Sequence, residues 1–512
     1  MSLPKRAALA AILALPGGWA AAQEDGAALL SASCSGCHAQ TDAGLTRISG
    51  QRKSPEGWLM TIVRMRIAHG LEISGDDQAA LVAYLSETQG LAPSETTDWR
   101  YALEKDPAHV EQVDEPLASM CARCHTAARV GLQRRTAEEW DLHMDFHVGQ
   151  FPTIEYQALG RDREWYKIAS EDIAPMLAEM YPLETEAWSA WQDADKPEVT
   201  GDWVVLTDLP ESGAAYGTLS VSGDASPYAI TGTMTLADGS SVDVGGQMNL
   251  YTGFEWRANL TIGGTAYRQV LAMSEDGSAL SGRQFQRDND SLGGRLSAAK
   301  VGSGPAILGV VPEAVAGQEA TAQVVGTGLD AVMVEGANGL ADQIAVNDTG
   351  ASVHLAGEGA TFTFSAGDDT ATAMLYDTVD RVTVEPEFTI TRVGGGSPNG
   401  PAAVPAHFKA IGWMNGPDGE AGTEDDIRIG AIPAEWSVEN ANEMAETMQD
   451  ATYAGKIGAD GIFTPGVAGP NPDRPFSTNN AGELRVVANA GGQMGEAHMI
   501  VTVQRFIDPP IR

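Results

Sequence analysis

Hydrophobic and polar positions change their period once along this chain, near residue 196. Upstream, apolar side chains recur at helical spacing behind strong start signals. Ser54-Pro55-Glu56 reads as a helix start, with Ser54 as N-cap and Pro55 at the first helical position, where its missing N–H costs nothing. That helix carries Trp58, Ile62, Met65 and His69 and stops at Gly70. Ser74-Gly75-Asp76-Asp77 has capping-box spacing and opens a second helix, with Leu81, Val82 and Leu85 on one face. Thr136-Ala137-Glu138-Glu139 is a further capping box, and Trp140 follows its cap by four residues, as Trp58 follows Ser54. The helix behind it runs through His143, Met144 and His147 to Gly149. An aromatic-rich helical tail, Asp162 to Trp191, closes the region.

Downstream of Lys196-Pro197 the pattern becomes short alternating runs rich in Gly, Thr, Ser and Val. Ile230 to Leu236, a turn at Asp238-Gly239, and Ser241 to Val244 read as a hairpin; so do Leu260 to Ile262, Gly263-Gly264, and Tyr267 to Val270. Ile307 to Val311, Thr321 to Val325, Val332 to Val334, Ser352 to Leu355 and Thr361 to Phe364 are short strands at sandwich spacing. Gly394-Gly395-Gly396-Ser397-Pro398 reads as a linker. The pattern predicts a multidomain chain: an N-terminal all-α domain (23–195), an antiparallel β-barrel or sandwich (196–302), an immunoglobulin-like β-sandwich (303–393) and a C-terminal β-sandwich (394–512). At ~150 residues per domain, 512 residues agree with that count.

The chemistry sits in the helical region. Cys34-Ser35-Gly36-Cys37-His38 and Cys121-Ala122-Arg123-Cys124-His125 both read Cys-x-x-Cys-His, the attachment motif of c-type haem. Two thiols at this spacing can add to the two vinyl groups of one haem, and the following imidazole then serves as proximal iron ligand. A Cys-x-x-Cys pair can also be half a zinc site, but paired halves of such sites lie roughly 15 to 20 residues apart. Here Cys37 and Cys121 are 84 positions apart, and a histidine follows each pair. Two covalent haems are therefore expected, held by Cys34, Cys37, Cys121 and Cys124, with His38 and His125 as proximal ligands. Each motif is followed by a capped helix with tryptophan at the same offset, which suggests an internal duplication. Eleven residues beyond each cap lie Met65 and His147, the first-choice distal ligands. His69, one turn beyond Met65, and Met144 and His143, before His147, are the alternatives; Met120, Met176 and Met180 complete the set. Methionine on an apolar face is also ordinary core filling.

Charge and the N-terminus refine the setting. Lys5 and Arg6, an apolar run from Ala7 to Leu15, and Ala20-Ala21-Ala22 have the order of a secretory signal peptide cleaved after Ala22 (residues 1–22). That run is too short to span a bilayer, which takes about 20 apolar residues. An exported, soluble, periplasmic protein is expected, without membrane insertion. All four cysteines are committed to the haem motifs, so no structural disulfide is expected. The formal net charge of −37 argues against nucleic acid as a partner. The loop Asp418 to Asp426 crowds carboxylates with glycines and could wrap Ca²⁺, although its spacing departs from the EF-hand and acidic surface loops are common on so acidic a chain. The β region shows no catalytic constellation.

A signal peptide, a tandem dihaem cytochrome c domain and three β-domains together resemble the α subunit of quinohaemoprotein amine dehydrogenase. The likeness covers essentially the whole chain; its anchors are the two haem motifs and the helices Trp58 to Gly70 and Trp140 to Gly149. The resemblance implies a heterotrimer, in which a small subunit with a cysteine tryptophylquinone cofactor oxidises primary amines beside a β-propeller subunit. The α subunit would pass electrons through its haems to an azurin-like copper protein or cytochrome c, with no catalytic residue in this chain. The rival is a free-standing periplasmic dihaem cytochrome c, an electron carrier or dihaem peroxidase, with β-domains for adhesion or interaction.

Overall fold

The computed structural model describes residues 17–157, 159–329, 333–397, 400–416 and 418–503. Most of the expected leader, residues 1–16, lies outside them, as does Pro398 of the expected linker. The chain forms two compact units: the residues up to Glu95 with Gly131–Gln192, and Thr96–Val130 with Asp193 onward.

The first unit is built on helices Gly17–Cys34, Pro55–His69, Gly75–Thr88, Ala137–Gln150 and Ala174–Met180. Three of them start where side chains cap them: Gly57 N–H donates to Ser54 Oγ (3.2 Å), Asp77 N–H to Ser74 Oγ (3.0 Å) and Glu139 N–H to Thr136 Oγ1 (3.2 Å). Gly70, with φ of 71°, ends the Pro55–His69 helix in the left-handed region that a side chain disfavours. The expectation of an all-α region needs correction. Strands β1 (Gln40–Thr41) and β2 (Gly44–Leu45) pair, and β3 (Gln51–Lys53) pairs antiparallel with β4 (Gln133–Arg135). The described residues are mostly β, 43% strand against 24% helix. The physical reason is that β3 and β4 carry Gln, Arg and Lys, so no alternation of apolar residues marks them, and their partners lie in different halves of the duplication.

That strand pair organises the unit. Its register sets Arg52 opposite Arg134, with Gln51 opposite Arg135 and Lys53 opposite Gln133. Each strand leads directly into a capped helix, so the two repeats leave opposite ends of the ladder. At its centre, buried Glu95 accepts from Arg52 Nη1 (2.8 Å) and Nη2 (3.0 Å), from Arg134 Nε (3.0 Å), from Ala92 N–H (2.9 Å) and from Thr185 Oγ1 (2.9 Å). All three charged groups are under 9% exposed. The repeats match in detail: Lys53 N–H and Trp58 Nε1 both donate to the Gln89 carbonyl (3.0 and 2.9 Å), and Arg135 N–H and Trp140 Nε1 both donate to that of Tyr181 (3.2 and 3.1 Å). Both tryptophans are fully buried.

The second unit contains a closed eight-stranded barrel of β5 (Gly201–Leu209), β6 (Gly213–Ser222), β7 (Tyr228–Thr235), β8 (Ser241–Tyr251), β9 (Glu255–Ile262), β10 (Thr265–Met273), β11 (Ala279–Gln286) and β12 (Asn289–Lys300). Consecutive strands are neighbours and β12 closes onto β5. The expected turns are present, with positive φ at Gly239, Gly263 and Gly264. Trp203, Met248, Phe254, Trp256 and Phe285 are buried in this unit's core.

Segment 96–130 belongs to the same unit and is tied to this barrel: Arg283 donates to the carbonyls of Lys105 (2.8 Å) and Glu104 (3.2 Å), Arg100 to that of Ser281 (2.9 Å), and Lys105 pairs with Asp290 (2.7 Å). Beyond the barrel, β13 (Ala306–Val311), β14 (Ala314–Ala316), β15 (Glu319–Thr327), β16 (Met333–Asn347), β17 (Gly350–Ala366) and β18 (Asp369–Tyr376) form one six-stranded sheet. The rest comprises three small sheets: β19 (Arg381–Glu385), β22 (Lys409–Met414) and β23 (Ile427–Ile432); β20 (Phe388–Arg392), β24 (Glu435–Asn440), β27 (Gly482–Ala490) and β28 (Gln493–Thr502); and β21 (Ala406–His407), β25 (Gly455–Ile457) and β26 (Ile462–Pro465). Purely antiparallel β-domains were expected, yet β14 runs parallel to β18 and β20 parallel to β28. Hairpin reasoning pairs only consecutive strands, whereas these partners are far apart in the chain.

Burial alone would raise the Glu95 carboxyl, but its bonds and charge pairing with Arg52, the Ala92 N–H and Arg134 hold it below the ordinary 4.5. Its stabilisation is therefore complete above pH 4.5 and is lost as pH falls through the lower folded value. Removing one partner of such a buried network costs about 3–5 kcal/mol. Glu95→Ala should show that loss in denaturant unfolding at neutral pH and flatten the acid limb; a loss below about 1 kcal/mol contradicts the central role of this carboxylate.

Candidate functional site

In the first unit, Cys34 ends the Gly17–Cys34 helix and a tight turn follows, with Cys37 N–H and His38 N–H both donating to the Cys34 carbonyl (3.2 and 3.0 Å). In the second unit, Cys124 N–H and His125 N–H donate to the Cys121 carbonyl in the same way (3.1 and 3.4 Å). Among the described residues no two cysteines form a disulfide. Burial and the neighbouring Cys37 raise the Cys34 thiol, and burial with Cys124 pushes Cys121 up to about 12.

The motif imidazoles are oriented alike. His38 Nδ1 lies 2.8 Å from the Thr46 carbonyl and His125 Nδ1 lies 2.9 Å from that of Thr126. A carbonyl only accepts, so each Nδ1 carries the proton and each Nε2 keeps its lone pair for a metal. Burial lowers the His125 imidazole, keeping it neutral. The loop after His125 is fixed by Glu111, which is buried and accepts from Tyr101 Oη (2.6 Å), Thr126 Oγ1 and Ala127 N–H (3.0 Å). Burial and Glu111 push the Tyr101 hydroxyl up, and the His109 ring stacks on Tyr101 with centroids 3.7 Å apart. Sequence reasoning missed Glu111, because a single acidic residue in a loop carries no pattern.

Among the distal candidates, Met65 is half-buried on the Pro55–His69 helix and His69 is exposed. On the Ala137–Gln150 helix, His147 donates from Nδ1 to the His143 carbonyl (2.8 Å). Its ring lies 5.2 Å from that of Trp165. His143 stacks on Phe146 (5.4 Å) and meets the His147 ring edge-on (4.7 Å); burial and the cationic Arg135 hold it well below the usual histidine range. Met144 and Met120 are buried in the core, Met176 is half-buried and Met180 exposed. Arg64 lies over the Phe146 ring at 4.7 Å, and the two occupy equivalent places one residue before Met65 and His147. The donor set, imidazole nitrogens and thioether with a cysteine pair before each helix, fits haem.

Four residues before each helix also repeat, Gln51-Arg52-Lys53-Ser54 and Gln133-Arg134-Arg135-Thr136; this signal extends the duplication beyond the tryptophan offset. The loop Asp418 to Asp426 satisfies itself: Asp425 accepts from Asp418 N–H (3.2 Å) and Thr423 Oγ1 (2.7 Å), and Asp426 accepts from Gly422 N–H (2.8 Å) and pairs with Arg381. Among the described residues no group of three or more His, Cys, Asp or Glu is arranged to hold a metal ion, and no helix is long and apolar enough to cross a membrane.

Residues 24–188 match the family model "quinohemoprotein amine dehydrogenase A, alpha subunit, haem binding". Residues 196–301 match the model for alpha subunit domain II of quinohemoprotein amine dehydrogenase, and 382–511 that for domain IV. Among curated proteins, none matches. A solved redesigned beta barrel, mFAP1, bound to DFHBI, is 18% identical over 20% of this chain and 93% of that one, with a TM-score of 0.17. Mouse clustered PcdhgC3 EC1-3 is 12% identical over 44% of this chain and 76% of that one, with a TM-score of 0.16.

Leaving a buried polar group unsatisfied costs about 1–3 kcal/mol. Glu111→Ala strands the Tyr101 hydroxyl and the Ala127 N–H, so it should lower unfolding stability by at least ~2 kcal/mol. A loss under about 0.5 kcal/mol contradicts the anchoring role.

Proposed function

Because the chain belongs to the α-subunit family of quinohaemoprotein amine dehydrogenase, a haem-binding subunit of an oxidoreductase complex, we propose that it is the electron outlet of a periplasmic heterotrimer that oxidises primary amines. The observation that carries this reading is the repeated geometry of the two Cys-x-x-Cys-His turns, each with Nδ1–H on a carbonyl and Nε2 left to bind iron. Bound haem supplies one-electron chemistry at its iron.

The residues of this chain attach, orient and cover that group. Cys34 and Cys37 would hold one haem through thioether bonds, and Cys121 and Cys124 the other. His38 and His125 would be proximal ligands, with Met65 and His147 distal. The His147 hydrogen bond to the His143 carbonyl supports His147 on its helix, since it fixes the ring and the tautomer together. Exposure of His69 and burial of Met144 in the core favour the first choices over those alternatives. Thioether ligation raises the potential relative to two imidazoles, so the haems would differ in poise. Amine oxidation would take place on a small subunit bearing cysteine tryptophylquinone, beside a β-propeller subunit, with an azurin-like copper protein or cytochrome c as acceptor. The order of residues 1–22 supports export to the periplasm.

Two experiments test this. A simple primary amine, added anaerobically to the complex purified through a tag on this chain, should reduce the haem absorption bands, and should fail once the partner subunits are stripped away. A chain that purifies alone, with haems no amine reduces, contradicts the reading. For the ligands, Met65→Ala should abolish the sulfur-to-iron charge-transfer band of the ferric protein and lower one haem potential, whereas His69→Ala leaves both unchanged. An unchanged band in Met65→Ala removes that thioether from the iron.

A further inference from the structure

The first unit buries more positive than negative charge at one place. Lys53 is 7% exposed and Arg135 4%. Among the described residues, no carboxylate lies within ion-pair distance of Lys53 Nζ; the ammonium donates to Thr61 Oγ1 (2.9 Å) and sits 5.0 Å from the centre of the Trp58 ring. Arg135 shares Glu139 with Arg47, at 3.7 and 3.1 Å, and lies over the Trp140 ring at 5.4 Å. Burial drives the Lys53 ammonium well below the usual lysine range, with Arg135, Arg64 and Arg47 adding to the effect and Glu139 opposing it.

Isolated buried cations are costly, and such groups are normally paired. The duplication shows where the missing partner belongs. Lys53 and Arg135 are equivalent, each the residue before its helix cap and each lying over the tryptophan of its own repeat. Thr61, which binds Lys53, lies one turn before Met65 on its helix; His143, at the same distance from its own cap, lies one turn before His147. The surplus cations thus border the two candidate distal positions. A lysine ammonium and an arginine fork are both suited to a carboxylate. Resting on the haem reading above, we propose that Lys53 and Arg135 form an anion seat that takes the carboxylates of bound haem. The chain then supplies the positive half of each ion pair, and the bound group supplies the negative half.

The test uses the whole complex carrying Lys53→Met or Lys53→Arg. Redox titration should show one midpoint potential lowered in Lys53→Met, because an unneutralised carboxylate favours ferric iron, and near wild type in Lys53→Arg. Redox-difference infrared spectra should show a haem carboxylate band that shifts in Lys53→Met but not in Lys53→Arg. If both readouts are unmoved by Lys53→Met, the proposal is overturned. A lowered potential with an unmoved carboxylate band also overturns it, since Lys53 then acts only as a charge through space. Arg135→Gln makes the same comparison at the equivalent position should Lys53→Met fail to accumulate. A wild-type chain without covalent haem overturns both this inference and the reading beneath it, whereas a haem-loaded wild type with unmoved bands overturns this inference alone.

Discussion

The buried carboxylate of Glu95, held between the guanidinium groups of Arg52 and Arg134, is the constraint on which the first unit depends. It fixes the middle of the short ladder β3–β4, and that ladder fixes where the two capped helices begin. Met65 and His147 ride on those helices at the same distance from their caps, so the candidate distal ligands inherit their positions from this one ion cluster. Three charges buried together are tolerated because each is bonded more than once, the carboxylate by both arginines, a backbone N–H and a threonine hydroxyl. Arg52 also lies over the Trp188 ring and Arg134 over that of Tyr181, each at 5.0 Å, which couples the aromatic tail to the same centre.

Much of this was legible in the sequence where a local rule speaks. Ser54, Ser74 and Thr136 cap helices because hydroxyls at those positions answer backbone N–H groups within three residues. Asp238-Gly239 and Gly263-Gly264 make hairpins because their backbone must turn through positive φ. Where pairing is remote the sequence is silent. Strands made of Gln51, Arg52, Lys53, Gln133, Arg134 and Arg135 have no apolar alternation, so the region reads as helical throughout although a ladder lies at its heart. The parallel partners β14 with β18, and β20 with β28, escape for the related reason that no turn joins them. At the site, cysteines and histidines announce themselves by spacing, while Glu111, Lys53 and Arg135 matter through burial, which spacing does not reveal.

Physical logic links the two halves of the haem-binding machinery. In each motif the chain turns back on the first cysteine's carbonyl, so thiols and imidazole are presented together, and a carbonyl on Nδ1 sets the tautomer. The second motif lies in a segment tied through Arg283, Arg100 and Lys105 to the eight-stranded barrel, so the barrel anchors one of the two Cys-x-x-Cys-His turns. The remaining β structure includes residues 382–511, which match alpha subunit domain IV of the same family.

On the proposed reading, the duplicated motifs each carry one haem. Intact mass spectrometry of the denatured chain, purified from cells competent in cytochrome c maturation, tests it most directly. The expected mass is increased by two covalently attached haems, falling to one when either Cys34 and Cys37 or Cys121 and Cys124 are replaced by alanine. A chain that carries a single haem, or whose haem is lost on denaturation, contradicts it.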